Sequence, residues 1–328
     1  SNRRVRNPRS MECDRCGRPA VHFAAYSGAH LCERHLQESV ERRIKRRVRA
    51  DDLLPADATP EDPVTWLIGL SGGKDSAVLT HVLAETFGPD PRVELLALSV
   101  HEGIEGYRDE SLAAAEALVE DRPVEYVETG YDAEFGLRMD EVQAADPWDM
   151  APCAYCGVLR RDVLAEKARE YDADVLLTGH NLDDEAETAL MNVLEGDVAQ
   201  MAQHYDASLA PLSERTGDSF VPRAKPLRDV PESEVALYAR TADIPAHIAE
   251  CPYASESFRG TVRDLLLELE EDHPGTRHSI VAGYEETARY AAQERRSADS
   301  GPDGTCEECG APTDRERCRA CELRAELE

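Results

Sequence analysis

The stretch "LIGLSGGKDSAVLTHVL", residues 67–83, decides the fold. An apolar run from Trp66 to Leu70 breaks into Ser71-Gly72-Gly73-Lys74-Asp75-Ser76 and then resumes with helical spacing. A turn of this kind between a strand and a helix binds an anion, usually phosphate. Its glycines let backbone N–H groups approach the ligand, and the helix N-terminus adds partial positive charge. A Walker A loop would need glycine at 68 and serine or threonine at 75. Ile68 and Asp75 stand there instead, so ordinary γ-phosphate hydrolysis is not expected.

Outward from this turn the chain alternates. Strand-like runs cover 64–70, 93–100, 123–128 and 174–179, and helical patterns cover 75–87, 108–120, 157–171 and 184–194. Such alternation predicts an α/β nucleotide-binding fold, a parallel sheet covered on both faces with ligands at the carboxyl ends of its strands. Around this block, 64–292, the composition divides the rest. Residues 1–10 read as a leader or extension, 11–49 as a basic Cys/His module, and 50–63 as an extended, mobile linker. A polar linker, 293–305, leads to a second cysteine module, 306–328. No stretch of 18 or more apolar residues and no signal peptide is evident, so a cytoplasmic protein without membrane association is expected.

The 328 residues carry a formal net charge of −29. Only 4 of the 37 basic residues are lysines and aromatics make up 5%, which predicts a protein kept soluble at high salt. The plainer alternative is an acidic protein that repels nonspecific partners. Residues 1–50 reverse the sign, with 13 Lys and Arg against 5 Asp and Glu. The densest run, "ERRIKRRVR" at 41–49, is either a solvated helix face or a contact for a phosphate backbone.

The ten cysteines sort by spacing. Cys13-x2-Cys16 with Cys32-x2-His35, and Cys306-x2-Cys309 with Cys318-x2-Cys321, each supply four ligands in the pattern of structural zinc. Neither module is long enough to bury a useful core, so metal would supply its folding energy. Cys153, Cys156 and Cys251 remain. A redox pair plus a bystander accounts for them; so do three ligands of a [4Fe-4S] cluster with one open iron.

The turn "SGGKDS" resembles the pyrophosphate loop of the N-type ATP pyrophosphatases, which split ATP between the α- and β-phosphates. "HEGIEGYRDESL" (101–112), "CAYCGVLRR" (153–161), "TGHNLDDEAET" (178–188), "RAKPL" (223–227) and "CPYASESFRGTVRDLL" (251–266) follow in order. With the two terminal cysteine modules, the whole resembles the tRNA 2-thiouridine synthetases, meaning the TtuA-type enzymes and the archaeal and eukaryotic cytoplasmic wobble-uridine thiolases. The resemblance spans about residues 11–321.

It implies a Rossmann-like PP-loop ATP pyrophosphatase domain between N- and C-terminal zinc modules. Cys153, Cys156 and Cys251 fall on the cluster ligands. Ser71, Gly72, Gly73, Lys74, Asp75 and Ser76 fall on the ATP-phosphate loop, and Gly179, His180 and Asp183 on a segment beside ATP. Asp183 is expected to hold Mg²⁺ or assist proton transfer, and also suits a helix N-cap. Two departures stand out: His101 occupies a position expected to be acidic, and Arg160 replaces a lysine. Arginine cannot act as a general acid at neutral pH, so Arg160 is expected only to bind substrate or phosphate. Arg161, Lys74 and Lys225 are further cations for the phosphates.

The implied reaction attaches AMP to uridine O2 of tRNA and replaces that oxygen with sulfur, at position 34 in preference to 54. The implied sulfur donor is a ubiquitin-like protein ending in a thiocarboxylate, and the implied assembly a homodimer. At multimolar salt the Debye length shrinks to roughly 3 Å or less. Arg42, Arg43, Arg46 and Arg47 then become expected tRNA contacts. The rivals are a tRNA 2-thiocytidine synthetase and a noncatalytic zinc-ribbon RNA-binding protein.

Overall fold

The computed structural model describes residues 11–210, 221–248, 251–253, 258–297, 304–310, 313 and 315–327. The expected leader and positions 298–303 of the second linker lie outside the described residues. An antiparallel hairpin, β1 (His22–Ala24) and β2 (Ala29–Leu31), precedes the long helix α1 (Glu33–Ala50). The nucleotide-binding block opens with β3 (Val64–Gly69), α2 (Lys74–Phe87), β4 (Val93–His101), α3 (Asp109–Val119) and β5 (Glu125–Gly130). Helices α4 (Tyr131–Phe135), α5 (Met139–Ala145) and α6 (Pro152–Glu170) lead to β6 (Val175–Leu177). Beyond it come α7 (Leu182–Glu195), α8 (Val198–His204), β7 (Arg223–Ala224) and α9 (Glu232–Thr241). Helices α10 (Phe258–Asp272), α11 (Thr276–Ser297) and α12 (Arg319–Leu327) close the described chain.

The five strands β3–β7 form one parallel sheet in the order β5-β4-β3-β6-β7. The order reverses beside β3, so a crevice opens between the carboxyl ends of β3 and β6, where a doubly wound sheet binds its ligand. Strand β3 is apolar without alternation, with Val64, Trp66, Leu67 and Ile68 all buried. A central strand covered on both faces requires that pattern. Trp66 and Ile68 enter one core with α1, α2, α3 and α9, while Leu67 enters the other with Leu159 and Val163 of α6. All four expected strands are present. β7 was not anticipated: it is two residues long, and only Ala224 is buried.

Three expectations about organisation change. Helix α1 does not stay with the N-terminal module, because Val40, Ile44 and Val48 pack into the sheet's first core. The stretch 50–63 is no free tether: Leu53 is buried, and its carbonyl accepts from Trp66 Nε1 at 2.9 Å. The second linker, expected from 293, is still helix through Ser297, where Ala288 and Ala292 keep α11 against α8. Among the described residues no helix is long and apolar enough to cross a membrane.

Candidate active site

The turn after β3 is folded by its own serines. Ser76 Oγ accepts from Ser71 N at 3.1 Å and lies 3.0 Å from Ser71 Oγ; it also donates to the Gly73 carbonyl at 3.1 Å. Gly72 sits at φ +76°, and a β-carbon there would run into the Ser111 backbone. Gly179 lets the end of β6 approach the start of α2, since its β-carbon would stand 2.8 Å from Ser76 N. Lys74 Nζ bonds Asp75 at 2.9 Å and Glu232 at 2.7 Å. Burial opposes its charge, yet the two carboxylates outweigh that and hold its pKa above the ordinary lysine value.

The "GHNLDD" segment lies opposite, and its roles differ from those expected. The N-cap of α7 is Asn181, not Asp183: its Oδ1 accepts from Asp183 N and Asp184 N, and Asp184 Oδ2 accepts from Asn181 N. Asn181 Nδ2 also donates to Asp75 Oδ1 at 3.0 Å, which ties this segment to the loop. Both oxygens of Asp183 are committed, one to Arg277 Nε at 2.9 Å and one to Glu232 N at 2.8 Å. Asp184 is the carboxylate beside Asp75. Burial first, then Asp75 and Glu187, pushes its pKa up to about 6. His180 lies at the open end of β6 against Thr178 Oγ1 at 2.8 Å. Lys225 is bound to Glu185 at 2.6 Å rather than directed at the loop.

Cys153 and Cys156 occupy the start of α6, not a loop before it, because Pro152 fits the first helical position and carries the helix back over them. Cys156 and Cys251 lie against the same apolar cluster, and Cys153 Sγ reaches the Tyr253 carbonyl at 3.7 Å. Cys251's thiol pKa is raised by burial, then by Cys153 and Cys156 beside it. The structure thus brings together three cysteines from two distant segments. An apolar floor and three thiols form a soft donor set suited to iron–sulfur ligation.

A continuous chain of contacts joins these thiols to the loop. Arg160 Nη2 donates to Cys156 Sγ at 3.1 Å and to Glu102 at 2.9 Å. Glu102, buried, holds Arg108 at 2.6 Å, and Arg108 Nη1 donates to the Ser71 carbonyl at 3.1 Å. The acid expected at 101 therefore stands one residue on, at Glu102. His101 instead accepts from Gly103 N at 3.0 Å. Arg160 is a link in this chain; Arg161, its exposed neighbour, is not. Glu102 and Arg108 were missed from sequence, although both lie in the quoted "HEGIEGYRDESL".

Both terminal modules assemble as expected. The ligand atoms of Cys13, Cys16, Cys32 and His35 lie within 4.8 Å of one another, as do those of Cys306, Cys309, Cys318 and Cys321. Burial opposes ionisation of Cys13 and Cys306, but backbone hydrogen bonds outweigh it and bring each thiol down to about 6. Each set can hold one metal ion. The four arginines of α1 divide: Arg43 pairs with buried Glu234 and Arg47 with Asp229 at 3.1 Å. Arg42 and Arg46 face solvent, although Arg46 also reaches Asp229 at 3.1 Å.

Comparison with known proteins places this geometry. The family model described as a PP-loop domain matches residues 36–270, and that of the 2-thiouridine synthetase TtuA N-terminal LIM domain matches residues 12–37. The tRNA 2-thiolation protein NcsA of Haloferax volcanii is 59% identical over 319 residues, 97% of this chain and 99% of that protein. The cytoplasmic tRNA 2-thiolation protein 1 of Mus musculus is 37% identical over 302 residues, 90% of this chain and 68% of that protein. A solved structure, the U34-tRNA thiolase NcsA from Methanococcus maripaludis with its [4Fe-4S] cluster, superposes with a TM-score of 0.81 at 34% identity. The match covers 97% of each chain.

Proposed function

Because this chain belongs to the PP-loop ATP-binding family, in its tRNA 2-thiolation branch, we propose that it is a tRNA sulfurtransferase that makes 2-thiouridine at the expense of ATP. The observation that carries the reading is the run of contacts Ser71–Arg108–Glu102–Arg160–Cys156, which couples a phosphate loop to a three-thiol site. Neither a hydrolase nor a zinc-ribbon binding protein needs that coupling. Position 34 is favoured by the likeness to a structure named as a U34-tRNA thiolase.

In this reading the O2 of the uridine attacks the α-phosphorus of ATP, and pyrophosphate leaves with the electrons of the broken P–O bond. The backbone N–H groups of Gly72 and Gly73 and the N-terminus of α2 receive its charge. Lys74 exchanges Glu232 for a phosphate oxygen, and Asp75 with Asp184 would hold Mg²⁺. AMP on O2 turns a poor leaving oxygen into a good one; a sulfur nucleophile then adds at C2 and AMP departs with that oxygen. Cys153, Cys156 and Cys251 would hold a [4Fe-4S] cluster, which when bound would carry the sulfur received from the donor. Arg160 keeps one of these thiols in register with the loop, and Arg161 is a cation for the substrate phosphates, while Lys225 stays on Glu185. His180 lines the mouth beside Gly179.

The terminal modules would each hold a zinc ion, and the exposed arginines of α1 contact tRNA. The sulfur donor is a ubiquitin-like protein with a C-terminal thiocarboxylate, and the enzyme acts as a cytoplasmic homodimer. The test is nucleoside mass spectrometry on tRNA from cells lacking the protein. Loss of 2-thiouridine, restored by the wild-type gene but not by Cys251→Ser, is the expected result. Loss of 2-thiocytidine alone would transfer the assignment to the cytidine enzyme. No change in any thionucleoside would leave only a noncatalytic role.

A further inference from the structure

We infer that Arg259 and Arg263, forked onto the buried carboxylate of Glu187, are the seat for the pyrophosphate end of ATP. The inference rests on the adenylation reading above. Helix α10 packs Val262 and Leu266 against Leu182 and Ala186 of α7, which sets Arg259 and Arg263, one turn apart, over the first turns of α7. Arg259 donates to Glu187 Oε2 at 2.9 Å and to Thr188 Oγ1 at 3.1 Å; Arg263 Nε donates to Glu187 Oε1 at 2.8 Å.

This is more than a structural ion pair. Glu187's side chain is 3% exposed, whereas those of Arg259 and Arg263 are 40% and 55% exposed. Two guanidinium groups share this one buried carboxylate, and both lie on its solvent side. Among the described residues Arg263 commits Nε alone. Its two terminal nitrogens keep the planar fork that matches a phosphate.

Location identifies the ligand. Glu187 stands one turn beyond Asp184 on α7, whose cap residue Asn181 donates to Asp75 of the loop at 3.0 Å. The charges of Arg259 and Arg263 reach Asp184, and that of Arg263 reaches Glu232, the partner of Lys74. The pair therefore borders two carboxylates of the phosphate-loop site, Asp184 and Glu232. The first is a proposed Mg²⁺ ligand and the second pairs with Lys74, so the anion's charge falls to Lys74, Arg259 and Arg263. Charge on the bridging oxygen grows as the α–β bond breaks, and preformed cations at that end lower the barrier. Neighbours drawn from the nucleotide loop favour pyrophosphate over an RNA backbone phosphate.

Equilibrium binding to the full-length protein in Mg²⁺ tests this with four probes: ATP, AMP, inorganic pyrophosphate and tRNA. Arg259→Gln and Arg263→Gln are each expected to weaken ATP and pyrophosphate by about tenfold or more, about 1.4 kcal/mol. AMP and tRNA affinities should stay unchanged. Glu187→Gln should reproduce this split, since Glu187 is a positioning residue acting through the pair. Arg263→Lys should restore part of the loss, because lysine keeps the charge and not the fork. Equal losses for ATP and AMP, an unchanged ATP affinity, or a loss confined to tRNA would each overturn the inference. Wild-type protein that binds neither ATP nor pyrophosphate would overturn the adenylation reading itself. Arg263, more than half exposed, is the variant least able to disturb folding.

Discussion

Gly72 shows what a single residue contributes. Its φ of +76° is strained for any residue with a side chain, and a β-carbon would also collide with the Ser111 backbone. Gly72→Ala is expected to cost about 1–3 kcal/mol and to abolish ATP binding, which a thermal melt and nucleotide titration would read together. The adjacent aspartates part company. Asp183→Asn removes the nearer of the two anions facing Arg277, whose side chain is 11% exposed, and leaves Glu270 at 3.6 Å. It should destabilise the protein toward the lower end of the roughly 3–5 kcal/mol typical of broken buried pairs, with little change in ATP affinity. Asp184→Asn should do the reverse, sparing stability and weakening Mg²⁺-dependent ATP binding. Asp184 also makes a pH prediction. Its folded pKa, about 6, lies above the ordinary aspartate value of 3.8, so its contribution to stability is full below about pH 4 and is lost as pH rises through 6. Without divalent cations, denaturant titrations of Asp184→Asn should show a shallower fall in stability across that window. The commitment of Asp183 to Arg277 was not legible in sequence, because the cap pattern "NLDD" fixes which residues start the helix but not which carboxylate meets Arg277, a residue 94 positions away.

At the scale of the element, α1 illustrates how a basic run divides once the helix is packed. Its apolar stripe, Val40, Ile44 and Val48, is buried, which turns Arg43 and Arg47 toward Glu234 and Asp229. Arg42, Arg46 and Arg49, at i, i+4 and i+7, form the exposed stripe. Replacing these three with Gln is expected to weaken tRNA binding and steepen no thermal transition, with Tm unchanged. Replacing Arg43 and Arg47 should lower Tm instead, because Glu234 and Asp229 each lose a close cation in a poorly solvated place. Binding and melting curves on both sets distinguish the stripes; loss of tRNA affinity only in the second set would refute this division. Periodicity made the helix legible, and the apolar residues inside the basic run were visible too. What they face was not. Helix α6 makes the same point at its other end: its start at Pro152 rather than 157 places Cys153 and Cys156 on a rigid element. The helix expected from 157 starts earlier because Pro152 fits its first position.

At the scale of the whole molecule, the net charge of −29 governs behaviour in salt. Raising KCl from 0.1 M, where the Debye length is about 10 Å, to multimolar concentrations, where it is about 3 Å or less, removes most of this self-repulsion. The melting temperature is expected to rise by roughly 2–4 °C for each 1 kcal/mol relieved; calorimetry across a KCl series that shows no rise would refute a salt-adapted surface. The sequence by itself determined the parallel α/β fold, the phosphate loop and the two four-ligand modules. Each rests on residues close together in the chain: strand and helix periods, a glycine turn, paired knuckles. The tertiary structure alone decided which groups share the site. The links from Ser71 through Arg108, Glu102 and Arg160 to Cys156, the seat on Glu187 and the division of α1 all join residues far apart in the chain. Their meeting depends on how helices pack across the sheet and not on any local preference, and a short strand such as β7, with one buried side chain, leaves no periodic signal to read.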